Sequence, residues 1–199
     1  MRAVLFVIGL FLLIELDAQP IASDTINQYD ANGLKSGYWR ESIDNQRFEY
    51  AIIHYVNGKK EGSFKVFYPN NVLATEGSFR SDFLHGSHKS YYPDGRVKMT
   101  TNYQNGNENG IRSMYDSNGY LRSTSEYVNG TLHGIFIEYY QNSKIRFRHK
   151  YNQGKMTGLY EMFYENGNLS YKGNYLNDRK AGKWITFNEE GDTIKVDDY

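Results

Sequence analysis

The stretch YNQGKMTGLYEMFYENGNLSYKGNY, residues 151–175, begins and ends on tyrosine and holds two turn signals about half its length apart. Gln153-Gly154 is the first and Asn166-Gly167 the second. Asn-Gly and related pairs supply the positive φ that tight hairpins require. Between such turn signals along the chain lie runs of roughly seven to nine residues rich in Tyr, Phe, Thr and aliphatics. Runs of that length are short for helices and right for strands.

Working outward, the same pattern returns every 24 residues. Starting at Gly62 and stepping by 24, glycine stands at Gly86, Gly110, Gly134, Gly158 and Gly182. Gly37 lies 25 residues before Gly62 and opens a less regular first unit. Aromatics fill the columns Phe67, Tyr91, Tyr115, Tyr139, Phe163, Phe187 and Phe79, Tyr103, Tyr127, Tyr151, Tyr175, Tyr199. Leu73, Val97, Leu121, Ile145 and Leu169 form an aliphatic column. Thr193 ends that column with Ile194 beside it, which allows a one-residue slip in the last unit. Such periodicity is the signature of a repeat architecture.

Two strands per unit, each followed by a turn, make a β-meander. The fold class is therefore all-β: an elongated, twisted, single antiparallel sheet of 24-residue hairpins. A lone hairpin is marginal in water, and each new hairpin pairs the free edge of the one before it. About 13 strands are expected from Tyr38 to Tyr199, giving a sheet roughly 60 Å long at ~4.8 Å per strand. A three-residue loop with a G1-type bulge at residues 70–71 would set Phe67 opposite Leu73, Tyr91 opposite Val97 and Tyr139 opposite Ile145. In the column Gly77, Thr101, Ser125, His149, Gly173, a small residue would let an aromatic of the next strand lie across the backbone.

The stretch YVNGKKEGSFKVFYPNNVLATEGSF, residues 55–79, and its counterparts at 127–151 and 151–175 resemble the bacterial variant of the MORN repeat. DANGLKSGYW, residues 30–39, looks like the first unit of such an array. The resemblance covers residues 30–199, about seven units. It implies a place beside YwqK-type putative antitoxins and, more broadly, a scaffold for protein assembly or membrane contact. It brings no catalytic residue set.

The N-terminus reads differently. Arg2 precedes an unbroken apolar run, Ala3–Ile14. That run is too short to span a bilayer, which takes about 20 residues, and fits the core of a secretory signal. Residues 1–18 are read as that signal, cleaved after Ala18, and residues 19–29 as a short linker. Export to the periplasm, envelope or medium follows, which sits poorly with neutralising a cytosolic toxin.

Composition narrows the chemistry. Lys+Arg and Asp+Glu are both 23, a balance that argues against nucleic acid and against a polybasic membrane strip. Membrane contact stays open but unsupported by charge. Cysteine is absent, which removes disulfides and thiolate chemistry. His85 and His133 share a column but stand two units apart, roughly 19 Å at strand spacing, too far for one metal. No nucleophile elbow or phosphate-binding loop occurs. The expectation is a non-enzymatic protein without cofactor or metal. Its candidate binding surface is Tyr68, Tyr92, Tyr140 and Tyr164, whose rings could stack a protein partner, a sugar or another sheet. A plain ladder that holds the sheet is the competing reading. Edge strands or a sheet face could also make a homodimer.

Overall fold

A computed structural model describes residues 26–43 and 46–199. The expected signal segment, residues 1–18, lies outside the described residues, as does most of the 19–29 linker. The strands are β1 (Gln28–Tyr29), β2 (Lys35–Ser42), β3 (Tyr50–Val56), β4 (Lys59–Phe67), β5 (Leu73–Arg80) and β6 (Phe83–Leu84). They continue as β7 (Gly86–Tyr91), β8 (Val97–Gln104), β9 (Asn107–Glu108), β10 (Gly110–Tyr115), β11 (Leu121–Val128) and β12 (Thr131–Tyr139). The last are β13 (Ile145–Asn152), β14 (Lys155–Phe163), β15 (Leu169–Leu176), β16 (Arg179–Phe187) and β17 (Thr193–Asp198).

These 17 strands form one sheet. From β2–β3 through β16–β17, successive strand positions pair antiparallel. β6 and β7 are two parts of one strand position beside β5, and β9 and β10 of another beside β8. Counted that way, β2 to β17 hold fourteen positions, one more than the repeat count suggests. Ile26–Tyr29, at the end of the segment read as a linker, joins the sheet through a bridge at Tyr38 and through β1 against β2.

The two turn types alternate along the chain. At one end of the strands, two-residue turns carry positive φ at both positions, as at Asn57 (φ 50) and Gly58 (φ 76). That is the type I′ geometry whose twist matches the strands. At the other end, a type I turn is followed by one left-handed residue. Tyr68 N donates to Val72 O and Asn71 N to Tyr68 O, with Asn71 at φ 61. The bulge then sets Phe67 opposite Leu73, Tyr91 opposite Val97 and Tyr139 opposite Ile145. Phe187 faces Thr193 in the same register, so the last unit does not slip.

The repeat glycines mark a second irregularity. Between β3 and β4 the pairing passes from Ile53↔Phe64 to Tyr55↔Lys60, so four steps on β4 oppose two on β3. Gly62 takes φ 82 inside this bulge, a conformation that costs an L-residue about 1–2 kcal/mol. The side chain of the preceding strand lies over the bulge. His54 Nδ1 is 2.7 Å from Glu61 O.

Candidate functional site

Strand alternation gives the sheet two unlike faces. Trp39, Ile53, Phe64, Thr101, Ser125, His149 and Trp184 are buried, and the register puts them on one face. The middle column of that packed face mixes large side chains with small ones. Phe64 lies against Gly77, Phe136 against Ser125 and His149, and Tyr160 against Gly173. The glycines leave room that a methyl group would fill. A Cβ at Gly77 would stand 2.9 Å from the Phe64 ring, and one at Gly173 would stand 2.1 Å from the Trp184 indole. Trp184 is fully buried, ringed by Tyr160, Tyr171, Tyr175 and Tyr199, with Lys180 Nζ 4.6 Å from its ring centre.

Burial tunes the titratable groups here. His149 sits among Phe136, Phe147, Tyr151 and Tyr160 with neither ring nitrogen hydrogen-bonded, and desolvation pushes its imidazole below the usual value. His88 is lowered for the same reason, with Nε2 2.9 Å from Thr75 Oγ1. Burial and a hydrogen bond to Glu76 Oε1 raise the Tyr91 phenol. None of these groups lines an enclosed chamber. On the outward side of Gly77, a shallow hollow is bordered by Ser63, Ser78, Ser87, Lys65, Glu76 and Lys89. Among the described residues no group of three His, Cys, Asp or Glu gathers to hold a metal ion.

The four tyrosines expected as a binding surface are placed at the turns. Tyr68 Oη donates to Tyr91 O (2.7 Å), Tyr92 Oη to Tyr115 O (2.8 Å), Tyr140 Oη to Phe163 O and Tyr164 Oη to Phe187 O (both 2.7 Å). Each hydroxyl thus clips one hairpin to the next, and Tyr68 is buried. Residue 116 interrupts the series with an aspartate. Asp116 Oδ1 instead accepts from the backbone of Asn118 and Tyr120 within its own turn.

The same unit departs in the packed face. Arg112 stands in the column of Phe64, His88, Phe136, Tyr160 and Trp184. Its guanidinium pairs with Glu108, donates to Tyr127 Oη (2.7 Å) and lies 4.5 Å from the Tyr127 ring centre. Nothing in the reading of turns and aromatic columns singled out Arg112. The signal was an exception within a column.

The opposite, outward face mixes charge and apolar groups. Arg148 pairs with Glu161 at 2.6 Å. Ile111, Ile135 and Leu159 stand one unit apart, 55%, 47% and 48% exposed. Their column begins with Ser63 and Ser87 and ends with Lys183, so it too is visible in the sequence once the outward positions are known.

Four stretches match the model of the MORN repeat variant: residues 60–81, 84–105, 132–153 and 156–177. The matches leap over residues 106–131, the unit that carries Arg112 and Asp116. No curated protein matches the chain.

Proposed function

We propose that this repeat protein is an exported, non-enzymatic scaffold that binds protein through the outward face of its sheet. The observation that carries the reading is the run of half-exposed aliphatics, Ile111, Ile135 and Leu159, set at unit intervals among charged side chains. Aliphatics in register along a rigid sheet form a linear docking surface, with polar neighbours giving orientation. The packed face is occupied by its own aromatics, and the clip tyrosines spend their hydroxyls on backbone carbonyls. That leaves the outward face to meet a partner. Export rests on the apolar run Ala3–Ile14.

The test is site-specific photo-cross-linking from position 135 in the source cell, fractionated by compartment. A discrete protein adduct in the exported fraction, lost on placing the probe at a packed-face position such as 147, supports the scaffold. Absence of any protein adduct from positions 111, 135 and 159 overturns it. A cytosolic toxin as the adduct would replace it with the antitoxin-type role.

A further inference from the structure

Two observations about the outward face go together. Ile111 pairs with Glu126, Ile135 with Lys150 and Leu159 with Asn174. On the far side of β10, where the pairing passes from Tyr103↔Glu108 to Thr100↔Ser113, stands Asn102, in the same column as Glu126, Lys150 and Asn174. Read across the strands from β8 to β15, the stripe runs Asn, Ile, Glu, Ile, Lys, Leu, Asn. It is a palindrome in chemistry about Ile135, with the sign of charge reversed between its halves.

We infer that this stripe is a self-complementary surface through which two copies of the chain associate face to face. The inference rests on the outward-face reading above and names the partner. A two-fold axis running along β12 over Ile135 lays β11 on β13 of the second copy and β10 on its β14. Strands are ~4.8 Å apart, so the charges lie about 5 Å and the flanking aliphatics about 10 Å on either side of the axis. Glu126 then meets Lys150 of the second copy, and Lys150 meets its Glu126. Ile135 meets itself, and Ile111 meets Leu159. An isologous contact demands this pairing of i with j and j with i.

The charges favour a second copy over an unlike partner. A stripe built for an acidic or a basic partner would carry one sign throughout. Neither Glu126 nor Lys150 is in an ion pair among the described residues, whereas Arg148 and Glu161 on the same face are tied to each other. The chain as a whole is neutral, so two copies approach without net repulsion. Sheet twist carries the surfaces apart beyond Asn102 and Asn174. The patch is therefore smaller than an obligate interface, and the association is of the weak, reversible class.

Sedimentation equilibrium of the full chain from about 1 μM to 1 mM tests this, with circular dichroism as the check on folding. The wild type should dimerise. Glu126→Lys and Lys150→Glu alone should each weaken the dimer at least tenfold, because each sets like charges face to face twice. Mixing the two variants, or joining both changes in one chain, should restore it. Ile135→Ser should also weaken it tenfold, and serine already stands in that column at Ser63 and Ser87, so the fold tolerates it. A monomer throughout the range overturns the inference, as does a dimer indifferent to Ile135→Ser or to the charge swaps. A monomer that still cross-links another protein from position 135 overturns the dimer and leaves the scaffold standing.

Discussion

Gly173 lies directly beneath Trp184: a Cβ built on the glycine would sit 2.1 Å from Cδ2 and 2.4 Å from Cε2 of the indole. The indole is fully buried there and cannot retreat without leaving its tyrosine cage. Gly173→Ala should therefore destabilise the protein by about 3 kcal/mol, at the upper end of overpacking costs. Gly77→Ala meets the Phe64 ring at 2.9 Å and should cost about 1 kcal/mol. Urea unfolding of the two variants side by side checks the order; equal losses would contradict it.

Tyr140→Phe removes one hydroxyl and leaves the Phe163 carbonyl without its donor. A loss of about 1 kcal/mol is expected. Tyr68→Phe, three units away, should cost a similar amount, and the double variant should show the sum, because the two clips share no partner. Chemical denaturation of the three variants measures both points.

Asp178 occupies a left-handed turn position (φ 67) that most other units give to glycine. It compensates with its carboxylate. Asp178 N donates to Met156 O at 3.0 Å, while Met156 N donates to Asp178 Oδ1 at 2.8 Å. Asp178→Ala keeps the strain and loses the bond, so it should cost about 2 kcal/mol. Asp178→Gly loses the bond and relieves the strain, and should stay within about 1 kcal/mol of wild type. Thermal melts of both variants distinguish the two contributions.

His149 gives the fold a pH dependence of known sign. Burial lowers its imidazole, so the folded protein holds it neutral where the unfolded chain already binds a proton. Its stabilising share is present above the ordinary histidine value of about 6.5 and is lost as pH falls through the lowered folded value. Melting temperature should drop on acidification from pH 7, and His149→Phe should shallow that drop. His88, lowered by the same cause, keeps part of it in the variant. A slope unchanged by His149→Phe would contradict this account.

Much of the architecture was legible because strands and turns repeat locally. Asn57-Gly58 and Asn70-Asn71 report their own backbone geometry, and the pairing of Phe67 with Leu73 follows from loop length alone. The small column at Gly77 and Gly173 was readable for the same reason, since it lies one strand from its aromatic. The roles of Tyr68, Tyr92, Tyr140 and Tyr164 were not. Their partner is a backbone carbonyl 23 residues on, and a carbonyl has no signature in sequence. The outward stripe was hidden because deciding which of Ile111 and Arg112 faces out requires the phase of the bulge that β10 makes against β8 at Gly110.

The Glu108–Arg112 pair has a further bearing on how the molecule comes apart. Packed rings and aliphatics run from Tyr29 to Tyr103, through Ile53 between Trp39 and Phe64, ring-to-ring contacts run from Phe136 to Tyr199, and the guanidinium stands in the gap. In a linear array, each unit is held by its own stability and by the match with its neighbours. A salt bridge in place of stacked rings is a weak link in that chain of couplings. The ribbon should then melt as two cooperative blocks in series, with amide exchange fastest near residues 108–129. Glu108→Leu with Arg112→Phe, the residue types found in neighbouring units, should fuse the blocks into one transition.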